Sequence, residues 1–279
     1  MTSSEMQLNL SSQAADPEAQ AWLAQRRQRL WRARLLPVLG VAGLLFAWWA
    51  VVAGFHVKPF IAPSPFLVLE TLFNKSDVLL QNLVPTAIEA VGGFLLGNLA
   101  AILIATVFVH NKTLQDIFYP VAVMINSIPV VAKAPILVLI MGNGLEPKIT
   151  IAAIVCFFPT LVNMVRGLQA VNPQAMELMQ ILSASKREIF FKLRLYASLP
   201  YLFSALRIAA SMSVIGAVVG EWIGATQGIG AMIIQATYSF DSALLYTAII
   251  MSAVLSGMFF LVIAIIERLV VRWQPESTH

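Results

Sequence analysis

Six long apolar blocks restrict this chain to one class of fold. They cover approximately residues 35–54, 86–109, 114–141, 148–165, 199–222 and 244–267. A helix needs about 17 to 25 apolar residues to cross a bilayer, and each block reaches that length. The blocks are longer than transmembrane β-strands and lack their strict alternation of polar and apolar residues. We therefore predict an all-α membrane protein with about six transmembrane helices.

The composition supports this class. Of the 279 residues, 59% are hydrophobic and 11% are charged, and the mean hydropathy is +0.81. A soluble domain has about 25% charged residues. The only cysteine, Cys156, lies inside an apolar block, and the three histidines are far apart in the sequence. A disulfide framework is therefore excluded, and we expect this chain to bind no metal or other cofactor itself.

The positive charges predict the orientation in the membrane. Of the 18 Lys and Arg residues, thirteen fall in segments on one side of the six blocks and three on the other, and the remaining two lie within blocks. Cytoplasmic loops carry the excess of Lys and Arg, so both termini and residues 166–198 are predicted to be cytoplasmic. This distribution accounts for the net charge of +4 without a nucleic-acid partner.

Three regions follow from this topology. Residues 1–34 form a cytoplasmic tail in which Asp16-Pro17 begins a helix carrying Trp22 and Trp31 among five arginines. Such a basic, Trp-bearing amphipathic helix is suited to lying on anionic membrane lipid. Residues 35–271 form the transmembrane domain, and residues 272–279 form a second cytoplasmic tail.

The segment from Asn172 to Pro200 is the only long charged stretch between apolar blocks. Asn172-Pro173 is an N-cap followed by proline at the first helical position. Ser185 and Glu188 have the spacing of a capping box, so a second helix is predicted to begin there. Two short helices, within residues 173–195, therefore meet at the small residues 183–185 and are suited to docking on a cytosolic partner.

The third block is broken by Pro120, Pro129 and Pro135. The polar residues Asn126, Ser127 and Lys133 lie between these breaks. Irregular backbone at membrane depth is tolerated where it lines a wet cavity, and an intramembrane lysine is by default a functional candidate. Asn126, Ser127 and Lys133 are therefore candidates for a translocation path. The alternative is a kinked helix whose lysine extends outward to the headgroups.

Two sets of glycines at four-residue spacing predict close helix packing. Gly93 and Gly97 form one set, and Gly216, Gly220 and Gly224 form the other. Gly93 and Gly97 could pack within one subunit or between two. Glu221 lies within the second set, where it either faces a substrate path or makes a structural polar contact.

Several catalytic signatures are absent from the sequence. It contains no G-x-x-x-x-G-K-[ST], so ATP hydrolysis through a P-loop is not expected of this chain. G-x-S-x-G, H-E-x-x-H and Cys/His clusters are also missing. The chain is therefore not expected to be an enzyme, and a membrane subunit that takes its energy from another subunit is favoured.

The segment 172–200 resembles the cytoplasmic "EAA" loop of ABC-importer permeases, in which E-A-A-x-x-x-G is followed by L-P. Glu177 stands at the Glu position, Ser183 at the Gly position, and Leu199-Pro200 at the closing Leu-Pro. The sequences at 62–66, 127–142, 201–209 and 218–230 are similar to the nitrate/sulfonate/taurine branch of type I permeases. In this branch we expect ATPase coupling through Glu177, Met179, Leu182, Ser183, Ala184, Ser185 and Lys186.

The resemblance implies the MetI-like permease fold in a bacterial inner membrane. It also implies a homodimer of permeases, two cytoplasmic ATPase subunits that bind ATP and Mg, and a periplasmic solute-binding protein. The substrate would be a small anion such as nitrate, a sulfonate, taurine or a carboxylate. A stand-alone carrier driven by an ion gradient is the alternative, although the sequence shows no obvious set of coupling-ion ligands.

One departure from the pattern concerns backbone geometry. Ser183 replaces the glycine that allows a sharp turn between the two coupling helices, and Leu178-Met179 replaces Ala-Ala. Serine has a more restricted backbone than glycine, whereas Ser185 offers a compensating cap. The geometry of the corner is therefore expected to depend on Ser183.

Overall fold

Helices account for almost all of residues 17–271, the part of the chain that the computed structural model describes. They are α1 Pro17–Gly54, α2 Pro65–Asn74, α3 Ser76–His110, α4 Lys112–Ser127, α5 Val130–Met141, α6 Glu146–Gln169, α7 Pro173–Ile181, α8 Lys186–Ile189, a π-helical turn Phe190–Arg194, α9 Leu195–Glu221, α10 Ile229–Tyr238 and α11 Ser242–Val270. No strand occurs among these residues. The predictions for residues 1–16 and 272–279 lie outside the described residues.

The chain divides into two compact units, Met1–Phe66 and Leu67–His279. In the first unit, α1 runs through Pro37 without a break, so the predicted interfacial segment and the first predicted span form one helix. Its apolar part, Leu35–Gly54, coincides with the predicted span. The side chains of most residues before Leu35 are outside the description, so the amphipathic face remains a prediction.

Five helices are long and apolar enough to cross a membrane, and a bent pair of helices brings the number to six. The five are Leu35–Gly54, Ser76–His110, Glu146–Gln169, Lys186–Glu221 and Ser242–Val270. The prediction of about six spans in an all-α fold is therefore confirmed. Several helices extend beyond the predicted blocks, because polar residues at a helix end continue the hydrogen-bonding pattern after the apolar run has stopped.

The bent pair is the third predicted span, which breaks at only one of its three prolines, Pro129. Helices α4 and α5 meet at 98°. Ile128 is extended, with φ −71° and ψ 126°, as expected for a residue that precedes a proline. Pro129 then serves as the N-cap of α5. By contrast, Pro120 and Pro135 lie inside their helices.

The core of the second unit is built around α6, which packs between α3 and α9. A Cβ on Gly93 would overlap the Cβ of Ala152, and one on Gly97 would overlap the backbone of Ala153. From the other side, a Cβ on Gly216 would come within 2.7 Å of the Cα of Ala152. Gly93, Gly97 and Gly216 therefore bring helices of a single chain together through α6. Gly224 instead lies beyond the end of α9 with φ 73°, where an added Cβ would meet the side chain of Asn143.

The chain between α9 and α11 contains one short helix, α10. It ends where Phe240 adopts φ 54° and the N–H of Asp241 donates to the carbonyl of Ala236. Asp241 then caps α11, since its Oδ1 accepts from the N–H of Leu244 at 3.0 Å.

Candidate coupling segment and transport path

The coupling segment, defined here as residues 172–194, begins with the predicted cap. The Oδ1 of Asn172 accepts a hydrogen bond from the N–H of Gln174 at 2.9 Å, and Pro173 occupies the first helical position. The side chain therefore satisfies one of the free N–H groups that begin every α-helix. The predicted start of α7 is confirmed.

Ser183 forms the corner between α7 and α8. Its φ is 52°, in the left-handed region. The N–H of Ser183 donates to the carbonyl of Gln180 at 2.9 Å, and the N–H of Ala184 donates to the carbonyl of Met179 at 2.9 Å. These two bonds define a Schellman motif, whose left-handed position is usually a glycine. Serine therefore makes the same turn in a backbone conformation that side chains disfavour.

The predicted capping box at Ser185 is present. The Oγ of Ser185 accepts from the N–H of Glu188 at 3.3 Å, and the Oε2 of Glu188 accepts from the N–H of Ser185 at 3.0 Å. Lys192 pairs with the other carboxylate oxygen of Glu188 at 3.3 Å. The second helix thus begins immediately after the left-handed turn, and only Ala184 and Ser185 separate the turn from it.

The second coupling helix differs from the predicted isolated element. Lys186–Ile189, the π turn Phe190–Arg194 and α9 form one continuous helix of 36 residues, Lys186–Glu221. No glycine or other helix breaker lies between residues 186 and 199, and Pro200 is accommodated inside the helix. The helix that begins at the coupling corner is therefore the same helix that forms the fifth candidate span, when the bent pair is counted as the third.

The base of this helix is anchored to the core. The ring of Phe190 lies 5.0 Å from the ring of His110 and packs against the cluster that contains Leu161 and Leu168. The guanidinium of Arg194 donates to the carbonyl of Leu168 at 3.4 Å. The π turn therefore joins the helix to the ends of α3 and α6.

Three large apolar side chains of the coupling segment are exposed in the described part of the chain. Leu178, Ile181 and Leu182 are 56%, 79% and 67% exposed. Of the other predicted coupling residues, Glu177, Ser183, Ser185 and Lys186 are exposed, whereas Met179 and Ala184 are half-buried. Exposed leucine and isoleucine beside charged residues are typical of a surface that another protein covers.

No hydrogen bond or ion pair joins the polar residues of the broken span to Glu221 within the described residues. Asn126 is exposed and lines a cavity of about 430 Å³ whose other lining residues are apolar. The hydroxyl of Ser127 donates to the carbonyl of Val123 at 2.9 Å. Lys133 is half-buried in the first turn of α5, and no ion pair joins it to a carboxylate within the described part of the chain. The role of these residues in transport stays a prediction.

Glu221 lies at the far end of α9, where its side chain is 1% exposed. Its Oε1 accepts from the hydroxyl of Thr86 at 2.6 Å, and its Oε2 accepts from the N–H of Gly230 at 2.5 Å. The sequence left Glu221 either facing a substrate path or making a structural polar contact. The structure contains the polar contact. A part of Glu221 in the transport path remains a prediction.

Two residues beside Glu221 were not singled out from the sequence. Lys148 Nζ lies 3.2 Å from Glu89 Oε1, with side-chain exposures of 12% and 1%. Glu89 is an acidic residue inside an apolar block, a signal that could have identified it. Lys148 is the first residue of the fourth apolar block, so its position alone does not mark it as a buried lysine.

Together these features define a class of protein. A bundle of apolar helices carries an exposed, doubly capped corner, and the helix that starts at this corner runs the length of a span. This is the architecture of a membrane transport subunit that a separate partner can move.

The chain belongs to the family of binding-protein-dependent transport system inner membrane components, whose model matches residues 97–274. It is therefore a multi-pass protein of the inner membrane and an ABC transporter permease subunit. This family implies a separate ATPase and a binding protein as partners.

Relatives cover most of the chain. The formylaminopyrimidine transport permease protein of Halalkalibacterium halodurans is 31% identical over 84% of this chain and 94% of its own length. The riboflavin transport system permease protein of Chloroflexus aurantiacus is 32% identical over 88% and 91%. The taurine transport system permease protein of Escherichia coli is 24% identical over 85% and 88%. Permeases named for aliphatic sulfonates and nitrate match as well, so the predicted resemblance is confirmed.

Proposed function

We propose that two copies of this chain form the translocation path of an ATP-driven importer for a small solute. The observation that carries this proposal is the continuity of Lys186–Glu221, which links the coupling corner to the far end of the fifth candidate span. In the proposed complex, two cytoplasmic ATPase subunits bind ATP and Mg. A periplasmic binding protein delivers the solute.

The coupling segment is built to transmit a displacement. Its first helix is capped by Asn172, its corner is closed by two backbone hydrogen bonds, and its second helix is capped by Ser185. A push on the exposed surface of Leu178, Ile181 and Leu182 therefore moves a rigid element. Because the second helix continues into α9, this movement passes to the span without crossing a flexible loop.

The π turn is the place where this movement meets the rest of the bundle. Phe190 and Arg194 hold the turn to α3 and α6. A π turn is locally less regular than an α-helix and often lies at a functional site. We propose that α9 pivots there when the ATPase subunits close.

The proposed substrate is a small anion. Lys133 is half-buried and has no ion-pair partner among the described residues, while the carboxylate of Glu221 is held by Thr86 and Gly230. A carboxylate that paired closely with Lys133 would cancel its attraction for an anion. Such pairing is absent from the described part of the chain, so the lysine is available to attract a sulfonate, nitrate or carboxylate.

A second candidate substrate class comes from the relatives. Two relatives that exceed 30% identity are named for formylaminopyrimidine and riboflavin, not for an inorganic anion. Asn126 provides an amide in a largely apolar cavity. Most small-molecule sites combine such a lining with a few polar groups. A nitrogen heterocycle is therefore the alternative substrate.

Transport into vesicles tests the energy source. The chain is reconstituted with a co-expressed ATPase subunit, with ATP inside the vesicles and with a solute-binding protein outside. Uptake that requires ATP and the ATPase supports the proposal. Uptake driven by an ion gradient without the ATPase would identify a stand-alone carrier instead. Competition by taurine, nitrate, a carboxylate and a pyrimidine then separates the two substrate classes.

A charge reversal tests the coupling segment. Glu177→Lys should uncouple ATP hydrolysis from uptake while leaving the protein inserted in the membrane, because Glu177 is exposed on α7 beside the apolar surface. Glu70→Lys is the matched control, since Glu70 is exposed on α2, away from the coupling segment. Unchanged transport by the Glu177 variant would remove this residue from the coupling role.

A further inference from the structure

A buried polar cluster holds the start of α10 against the bundle. Its first part consists of three caps that come from other helices. The N–H of Gly228 donates to Asn82 Oδ1 at 2.9 Å, that of Ile229 to Thr86 Oγ1 at 2.9 Å, and that of Gly230 to Glu221 Oε2 at 2.5 Å. Helices α3 and α9 therefore supply the acceptors that the first residues of α10 need.

The hydrogen bonds of Glu221 fit an ionised carboxylate. Both of its oxygens accept, one from Thr86 and the other from Gly230. It also lies at the N-terminus of α10, where the helix dipole favours a negative charge. The carboxylate fits closely, since a Cβ on Gly228 would overlap it.

Glu89 lies beside Glu221, but only one of its two carboxylate oxygens has a partner. Its side chain is 1% exposed, and its Oε1 lies 3.2 Å from Lys148 Nζ. Its Oε2 is buried and receives no hydrogen bond from any donor in the described residues. The neighbouring group within hydrogen-bonding reach is the carboxylate of Glu221. A bare carboxylate oxygen in this position would be buried without a donor and would face a second negative charge.

The formal charges of the cluster do not balance. Helix α3 contributes Glu89, α6 contributes Lys148 and α9 contributes Glu221, while α10 contributes only backbone N–H groups. The titratable side chain of α10, Tyr238, is 81% exposed. At the start of α11, Asp241 is paired with Lys75. Two carboxylates thus face a single ammonium, and ionisation of both would leave one uncompensated negative charge in a buried site.

We propose that this site binds one proton, carried by Glu89 and donated to the carboxylate of Glu221. The proton comes from solvent and returns to it, and no other bond changes. Glu89 Oε2 then becomes a donor with an acceptor in reach, and Lys148 balances the charge of Glu221. The charges and hydrogen bonds of Glu89, Glu221 and Lys148 are then satisfied together. This is not so when both carboxylates are ionised.

The proton connects the state of this site to the position of α10. When Glu89 loses its proton, the new charge repels Glu221, which is the cap of Gly230. The N–H of Gly230, at the start of α10, then has a weaker acceptor in a less favourable position. Loss of the proton is expected to loosen α10, so that the far end of α9 and the short helix it caps move together.

Infrared spectroscopy of the full chain in lipid nanodiscs tests the proposal. At neutral pH the wild type should show the carbonyl stretch of a protonated carboxyl group. This band should be lost in Glu89→Gln and kept in Glu70→Gln, the exposed control. A wild type without the band, or a Glu89→Gln variant that keeps it, would overturn the proposal. A band that is lost in Glu221→Gln but kept in Glu89→Gln would assign the proton to Glu221 and would contradict the proposal.

Thermal unfolding and amide exchange give a second test that does not depend on the band. Glu89→Gln resembles the protonated side chain, so it should fold normally. As the pH rises, its free energy of unfolding should fall less than that of the wild type. Glu221→Gln should speed exchange of the Gly230 amide by roughly tenfold, because it weakens a charged hydrogen bond. Parallel alkaline curves for the wild type and Glu89→Gln would contradict the proposal.

Discussion

The N–H of Ser183 donates to the carbonyl of Gln180, and this hydrogen bond forms only because Ser183 adopts a φ of 52°. The bond belongs to the turn that stops α7 and directs the chain toward α8. A residue with a side chain is thus held in a conformation that costs about 1–2 kcal/mol for most residues. The corner of the coupling segment is therefore formed against local preference.

Changing Ser183 should alter the corner in a predictable order. Ser183→Gly removes the unfavourable backbone conformation, so the corner should become up to about 1 kcal/mol more stable, although glycine also gains freedom in the unfolded chain. Ser183→Val should destabilise it, because β-branched residues tolerate positive φ poorly. Hydrogen exchange of the amides of Ser183 and Ala184 measures both effects. Faster exchange in the glycine variant than in the valine variant would refute this account.

The cap of the second coupling helix should contribute measurably to its start. Ser185→Ala removes the acceptor for the N–H of Glu188 and should destabilise the first turn of α8 by about 1 kcal/mol. Ser185→Asp is the matched control, since aspartate retains an acceptor at the N-cap. ATP-dependent uptake and exchange of the Glu188 amide are measured for both. Equal losses in the two variants would show that the cap is not the cause.

The sequence was sufficient where structure depends on local spacing. The apolar block lengths predicted the spans, because any helix that crosses a bilayer must meet that length. Asn172-Pro173 and the Ser185–Glu188 spacing predicted two helix starts, because each cap is a contact between residues at most three apart. The break at Pro129 followed from the restriction that a proline imposes on the preceding residue.

The sequence was insufficient where structure depends on distant partners. Glu89 and Lys148 come from different helices, and no periodicity within either block reveals their pairing. For Gly93, a close approach was predictable, but the choice of Ala152 within the same chain was not. The contacts of Phe190 with His110 and of Arg194 with Leu168 also join residues that lie far apart in sequence.

Acidification should loosen the start of α11 through Asp241. Partial burial raises the pKa of Asp241, but the hydrogen bonds from Lys75 and Leu244 and the charge of Lys75 outweigh it and hold the pKa below its ordinary value. The stabilisation is therefore complete above the ordinary aspartate pKa and is lost as the pH falls through the lowered value. Exchange of the Leu244 amide, followed against pH, should speed up in this acidic range.

Asp241→Asn provides the control for this pH effect. Asparagine can still cap Leu244 but cannot pair with Lys75 as an ion, so exchange at Leu244 should no longer respond to acid in the same range. The ion pair is partly exposed, with side-chain exposures of 43% and 34%, so the change should weaken with added salt. An identical acid response in both proteins would assign the effect to another group.

Gly93 should be more sensitive to a single methyl group than Gly257. A Cβ on Gly93 would overlap Ala152 and come within 2.9 Å of the backbone N of Ala153, so Gly93→Ala forces α3 away from α6. Such overpacking costs about 1–3 kcal/mol. Gly257 lies inside α11 with no atom within 4 Å of an added Cβ, so Gly257→Ala should be neutral or should stabilise its helix. Thermal unfolding in detergent compares the two variants, and an equal shift would show that close packing of α3 on α6 does not limit stability.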